Sequence, residues 1–231
     1  MIKTILFDLD DTLLDFHRSE TVAIGNTLRH FGIEPTAAVI ARYSAINLAH
    51  WERLERGEIT RDEVLTRRFS LLFAKLGVNC SPGKAQVCYE ELLSRQHFLL
   101  PGAVALLDEL KQDYTLAVVS NGTAVVQDRR LRESGLLPYF KYIFISQRLG
   151  YDKPSAAFFD ACFAAMPGVN REECLIVGDS LTSDMLGGRN AGIRTCWYNP
   201  RGKLRRADIP VDCELRRLEE LPELLERWNK E

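Results

Sequence analysis

The chain has 231 residues, of which 46% are hydrophobic and 27% charged, enough for one large domain or two small ones with a real core. A formal net charge of −2 and a pI near 6.1 give no global attraction to nucleic acid or an anionic membrane, and no apolar run reaches the about 18 residues that cross a bilayer. The apolar N-terminal run meets Asp8 too early for a secretory signal, and the six cysteines form no Cys-x-x-Cys pair. Both features predict a cytoplasmic protein with free thiols.

In chain order, Lys3–Asp8 reads as a short apolar strand that runs into four carboxylates, Asp8, Asp10, Asp11 and Asp15. No second strand pattern appears before Leu100. Helical stripes follow instead: Ile24, Leu28 and Phe31; Val39, Tyr43 and Ile46; Leu65, Phe69, Leu72 and Leu76; and Ala85, Cys88, Tyr89 and Leu92. Breaks fall at Gly32–Pro35, Gly57–Thr60 and Gly77–Pro82. The pattern predicts a small helical bundle over 15–99.

From Leu100 the texture changes. A helix is expected over Gly102–Lys111, with Pro101 in its first turn. Thr115–Ser120 is a continuous apolar strand of the kind buried on both faces of a parallel sheet. A helix (123–134), a strand (142–146), a helix (155–166) and the strand Cys174–Asp179 follow. Next come a helix across Ser183–Ala191, the strand Thr195–Asn199, a weak strand at Val211–Leu215 and the helix Leu218–Asn229. This alternation predicts an α/β fold, a doubly wound parallel sheet with right-handed crossovers. Its core would be 1–14 plus 100–231, interrupted by the helical insert.

Ligands of open α/β sheets bind at the carboxyl ends of the strands. Those ends carry Asp8 and Asp10, then Ser120 and Asn121, then Lys153 in a loop, then Asp179 with Asp184 beyond it. Asp8 and Asp10, two residues apart, would share a side of a regular strand and repel unless a cation sits between them. With Asp179 they make an all-oxygen set that suits a hard ion such as Mg²⁺. Such a cation draws in a phosphate, for which Ser120, the Asn121 amide and Lys153 offer donors and positive charge. A carboxylate facing the phosphorus can act as nucleophile, and a second carboxylate two residues on can handle the leaving-group proton and the water.

The ordered set DLDDT, the strand-end Ser120, Lys153-Pro154 and GDSLTSD resembles the four motifs of the haloacid dehalogenase superfamily, and the insert resembles its helical cap of the first type. The resemblance spans essentially the whole chain. It implies a phosphatase working through an aspartyl phosphate, with Asp8 as nucleophile and Asp10 as general acid and base. It implies Ser120 and Lys153 as phosphate binders. It also implies Mg²⁺ held by Asp8, the Asp10 carbonyl and Asp179, with Thr12 and Asp184 in support. The family pattern usually has Gly where this chain has Asp11, and Asp tolerates the left-handed turn that such a position requires. LLDFHRSE, ISQRLGYDKP and GDSLTSDMLGGRNAGIRTCWYNP are similar to the bacterial pyrimidine 5′-nucleotidases, which implies a pyrimidine nucleoside monophosphate as substrate.

Rival readings have their own chemistry. Another small phosphomonoester, such as a sugar phosphate or phosphoglycolate, would use the same groups, and a phosphomutase differs only in how it excludes water. A 2-haloacid dehalogenase has no use for the second carboxylate at Asp10. A receiver-like signalling domain carries no large insert after its first strand. The expected partner is a small phosphorylated metabolite, in a monomer or a homodimer. The four histidines (17, 30, 50 and 97) have no ligand spacing, and Trp51 and Phe16 in the insert are read as core before base contacts. The basic run Arg201–Arg206 is read as a solvated loop.

Overall fold

The computed structural model describes residues 1–230. At its centre is β1 (Thr4–Phe7), wholly buried, the third strand of a six-stranded parallel sheet. The other strands are β2 (Thr115–Ser120), β3 (Tyr142–Ile145), β4 (Cys174–Gly178), β5 (Arg194–Tyr198) and β6 (Cys213–Leu215), in the order β3-β2-β1-β4-β5-β6. The chain builds outward from β1 to β3, then returns to the other side of β1 for β4. That reversal puts the tips of β2 and β4 on either side of the β1 tip, where doubly wound folds hold their ligands.

The side chains explain why these segments pair. Phe7 lies opposite Val118 on one neighbour and Val177 on the other, and Leu6 opposite Ala117 and Ile176. Alternation then sends Ile5, Phe7, Val118 and Val177 into one apolar layer and Leu6, Ala117, Val119 and Ile176 into the other. The first layer is closed by α5 (Ala103–Leu110) and α10 (Leu221–Lys230), and the second by Phe158 and Phe159 of α8 (Ala156–Ala164). Both faces of the strands are dry, as their unbroken apolar sequences require.

Contacts divide the chain into two compact units, one of Met1–Asp15 with the chain from Phe98 onward, the other of Phe16–His97. The second unit contains α1 (Phe16–His30), α2 (Ala37–Glu55), α3 (Arg61–Leu76) and α4 (Pro82–Ser94). Thr60 and Glu63 form a reciprocal cap at the start of α3, and Gly77 ends it in the left-handed region at φ 66°. Tyr43, Phe69 and Tyr89 pack as a trio of mutually tilted rings in this core, with ring centroids 5.2–5.8 Å apart. The apolar stripes do not account for the whole interior. Glu20, Asn47, Arg68 and Gln86 are buried too, joined as Asn47 Nδ2–Glu20 (2.7 Å), Arg68–Asn47 (2.7 Å) and Arg68–Gln86 (2.8 Å).

Several boundaries differ from the sequence expectation. Pro101 lies before α5, because Gly102 at φ 80° occupies the cap position. Ser146 starts a one-turn helix, α7 (Ser146–Leu149), and does not close β3. The helix expected from Ser183 begins earlier, as a π-type turn over Leu181–Met185 that continues into α9 (Leu186–Ala191). Ser180 caps that wide turn, its Oγ accepting from Ser183 N–H at 3.1 Å. A π-type turn at this point brings Asp184 back beneath the β4 tip, a placement that no apolar period reports.

Candidate active site

Lys153 is the hub. Its loop follows α7 and contains a cis Lys153–Pro154 peptide. The side chain is buried, and Nζ donates to Asp8 Oδ1 (2.7 Å), Asp184 Oδ1 (2.6 Å) and the Val119 carbonyl (2.8 Å). Those three bonds use every proton of the ammonium. Burial opposes its charge, but Asp184 and Asp8 outweigh that and raise its pKa above the ordinary lysine range.

Oxygens of Asp8, Asp179 and Asp184 lie within 4.8 Å of one another. Burial pushes the Asp8 carboxyl well above the usual range. Lys153 pulls it back, and Asp184 and Asp10 push it further up. Asp179 is pushed up to about 7, again by burial, with Lys203 opposing and Asp184 and Asp11 adding to the rise. Three carboxylates this close, with Asp8 and Asp179 pushed toward their neutral forms by burial, have a donor set that fits a hard, six-coordinate divalent cation. The Asp179 backbone is anchored as well, because Trp197 Nε1 donates to its carbonyl at 2.9 Å.

The carboxylate of Asp10 lies elsewhere. Asp184, rather than Asp10, completes the trio of acidic side chains. Asp10 Oδ2 accepts from Gln127 Nε2 at 2.7 Å, and Oδ1 accepts from Arg130 Nη1. The divergence has a backbone cause, because β1 ends at Phe7 and the strand period no longer applies to residue 10. The turn that follows is tight, with Leu13 and Leu14 N–H both donating to Leu9 O and Asp11 N–H to Leu14 O. Asp11 adopts φ 56°, alone among the described non-glycine residues in having a positive φ. The turn therefore forms with Asp where the family pattern has Gly. Thr12 is buried within it, and its hydroxyl has no hydrogen-bond partner.

Ser120 lies buried at the β2 tip, its Oγ accepting from Gln127 Nε2 (2.8 Å) and Gly122 N–H (3.1 Å). The Asn121 side chain holds the Lys153 backbone. Its Oδ1 accepts from Lys153 N–H and its Nδ2 donates to Lys153 O, both at 2.9 Å.

Two features escaped the sequence reading. Gln127 and Arg130 sit three apart on α6 (Ala124–Glu133), so they share a face. That spacing was available in the sequence, but on a short basic helix it looks like solvated surface. The basic run Arg201–Arg206 is also more than a solvated loop, since Lys203 Nζ reaches Asp179 Oδ2 at 3.1 Å. Lys203, Arg201, Tyr198, Asp11, Asp15 and Asp179 line a cleft of about 90 Å³. Among the other candidates, His50 is a core residue whose Nδ1 bonds Ile46 O at 2.8 Å. Trp51 packs against Leu54, Ile59 and Val64, with the Arg61 guanidinium 5.5 Å from its ring centroid.

The central tip of the parallel sheet gathers three carboxylates around a lysine, and the comparisons give the class. Residues 2–192 match the haloacid dehalogenase-like hydrolases, and the chain belongs to that family. It is 42% identical over 199 residues to the pyrimidine 5′-nucleotidase PynA of Streptococcus pneumoniae, covering 86% of this chain and 84% of that one. It is 31% identical to the pyrimidine 5′-nucleotidase YjjG of Escherichia coli over 96% of both chains. The crystal structure of the HAD-hydrolase YfnB of Bacillus subtilis, bound to magnesium, superposes with a TM-score of 0.93 at 40% identity, covering 97% of this chain and 98% of that one. None of the helices described here is long and apolar enough to cross a membrane.

Proposed function

We propose that this hydrolase is a cytoplasmic, Mg²⁺-dependent phosphatase that cleaves a pyrimidine nucleoside 5′-monophosphate through an aspartyl phosphate. The observation that carries the reading is the Asp8 carboxylate, held by Lys153 Nζ at 2.7 Å beside Asp179 and Asp184. Asp8 attacks phosphorus as the bond to the leaving oxygen breaks, and Asp10 gives that oxygen its proton. Asp10 then takes a proton from the water that hydrolyses the aspartyl phosphate and frees Asp8. Ser120 donates to a phosphoryl oxygen, and Lys153 offsets the charge of both Asp8 and the bound phosphate. Mg²⁺, held by Asp8, Asp179 and the Asp10 carbonyl with Asp184 in support, would neutralise phosphoryl charge. The helical unit Phe16–His97 serves as the cap that selects the leaving group.

The substrate class rests on the names of PynA and YjjG, and the metal on the donor set and on the magnesium-bound YfnB structure. Asp10 favours phosphatase over dehalogenase chemistry, because a halide leaves without a proton. A panel of pyrimidine and purine nucleotides, sugar phosphates and phosphoglycolate, assayed with Mg²⁺ or excess chelator, tests both points. We expect dUMP and dTMP to lead the panel and the chelator to abolish turnover. A profile led by sugar phosphates, or full turnover in chelator, would overturn the corresponding part.

A further inference from the structure

We infer that Arg130 and Gln127 are positioning residues for Asp10. They form a buried clamp that fixes its carboxylate for proton transfer and ties it to the phosphate-binding tip of β2. The inference rests on the proposed role of Asp10 as general acid and base.

The side chain of Arg130 is fully buried, and a buried guanidinium is expensive unless a partner offsets it. Asp10 meets it as an anion. Gln127, equally buried, donates through its amide nitrogen to Asp10 Oδ2 (2.7 Å) and Ser120 Oγ (2.8 Å), while its Oε1 accepts from Arg130 Nη1 at 3.0 Å. The result is a continuous path from the β2 tip through Gln127 to Arg130, with both oxygens of Asp10 held from the α6 side.

The grip leaves the chemistry free. A carboxylate offers about four lone-pair sites, and the clamp fills one on each oxygen. The remaining pair can carry the proton that passes to the leaving oxygen and is later regained from water. What the clamp removes is rotation, and transfer efficiency depends strongly on geometry. Arg130 and Gln127 touch neither phosphorus nor leaving group in this scheme, so they act through Asp10.

The test is a double-mutant cycle on a nucleoside 5′-monophosphate and on p-nitrophenyl phosphate, whose leaving group needs no proton. Arg130→Gln should lower kcat on the nucleotide by about 10–10²-fold, a fraction of the general acid–base contribution, with KM nearly unchanged. With p-nitrophenyl phosphate the initial burst should survive while steady turnover slows, and phosphate should accumulate on Asp8. Arg130→Lys should recover part of the loss. Adding Arg130→Gln to Asp10→Asn should cost nothing further, since the clamp acts only through the group already removed. Unchanged kcat in Arg130→Gln, a loss confined to KM, or a double variant slower by the product of the two effects would overturn the inference.

Gly122→Ala provides a variant that removes no clamp side chain. A Cβ there would overlap the Gln127 side chain, against Nε2 and 2.6 Å from Cδ and Cγ, so Gln127 must shift off Asp10 and Ser120. It should lower kcat about 3–10-fold by the same loss of orientation, and wild-type kcat would exclude Gln127 from the clamp. The two levels separate cleanly. Normal turnover by Asp10→Asn defeats the phosphatase mechanism, whereas a slow Asp10→Asn beside a normal Arg130→Gln defeats only the positioning role.

Discussion

Asn121 grips the backbone of Lys153 at both ends, its Oδ1 accepting from the lysine N–H and its Nδ2 donating to the lysine carbonyl, each at 2.9 Å. The lysine side chain then returns to β2, which Asn121 follows, donating to Val119 O at 2.8 Å. The β2 tip and the Lys153 loop are thereby locked into one ring of hydrogen bonds, and the ammonium has little freedom to leave Asp8.

Asn121→Ala should break that ring without touching any charge. The Lys153 backbone groups lose both partners, which costs about 1–3 kcal/mol for each left dry. Activity should fall by about 10–10²-fold from misplacement of the ammonium. Asn121→Asp should do no better, since a carboxylate accepts from the lysine N–H but cannot donate to its carbonyl. Thermal melting and kcat measured together check this, and an Asn121→Ala protein with both values intact would show that the loop holds itself.

The pH behaviour of the metal-free protein should follow Asp179. Its folded-state pKa, about 7, lies above its unfolded value. The stability linked to this group is therefore present below the unfolded pKa and lost as pH rises through about 7. Asp179→Asn removes that loss. In excess chelator the variant should melt higher than wild type at pH 8 and no higher at pH 4.5. The side chain is about one-fifth exposed and Lys203 stands beside it, so the gain should be only about 1–2 kcal/mol. With Mg²⁺ added, the order should reverse, because the metal stabilises only the chain that keeps the carboxylate. Equal melting of the two proteins across the pH range would refute the assignment.

Much of this was legible in the chain. The unbroken apolar runs around Leu6, Val118 and Ile176 could only be strands buried on both faces, and their tips located Asp8, Ser120 and Asp179 in advance. The breaks at Gly57–Thr60 and Gly77–Pro82 delimited α3 and α4, and the structure caps those helices with Thr60 and Ser81. What stayed hidden were polar contacts made across the fold. Arg130 and Asp10 are separated by 120 positions, and nothing local distinguishes that arginine from the exposed Arg132. Arg68 sits within a helical stripe, and its burial depends on Asn47, Gln86 and the nearby Glu20 carboxylate on neighbouring helices. The π-type turn at Leu181–Met185 has no apolar signature either. It places Asp184 beside Lys153, and the end of β1 at Phe7 frees Asp10 from the strand period; together they are why the acidic trio differs from the one that spacing alone predicts.

Asp8 should be the clearest case of a residue kept for chemistry against stability. Its buried carboxyl resists ionisation, with Asp184 and Asp10 adding to the repulsion that Lys153 offsets. A raised folded-state pKa means that the group's stabilising share is present below the unfolded value and lost as pH climbs through the folded one. Asp8→Asn keeps the volume and removes the charge, while Lys153 retains Asp184 and the Val119 carbonyl. In chelator near pH 8 the variant should therefore melt at or above the wild-type temperature. Its turnover should nonetheless fall to background, because a carboxamide cannot attack phosphorus, and no phosphate should appear on the peptide containing residue 8. Melting curves, a nucleotide assay and intact-mass analysis of the trapped enzyme read the three outcomes separately. A stable and inactive Asp8→Asn protein is the expected result. A variant that turns over normally, or a wild-type enzyme phosphorylated at Asp10, would show that the nucleophile had been assigned to the wrong carboxylate.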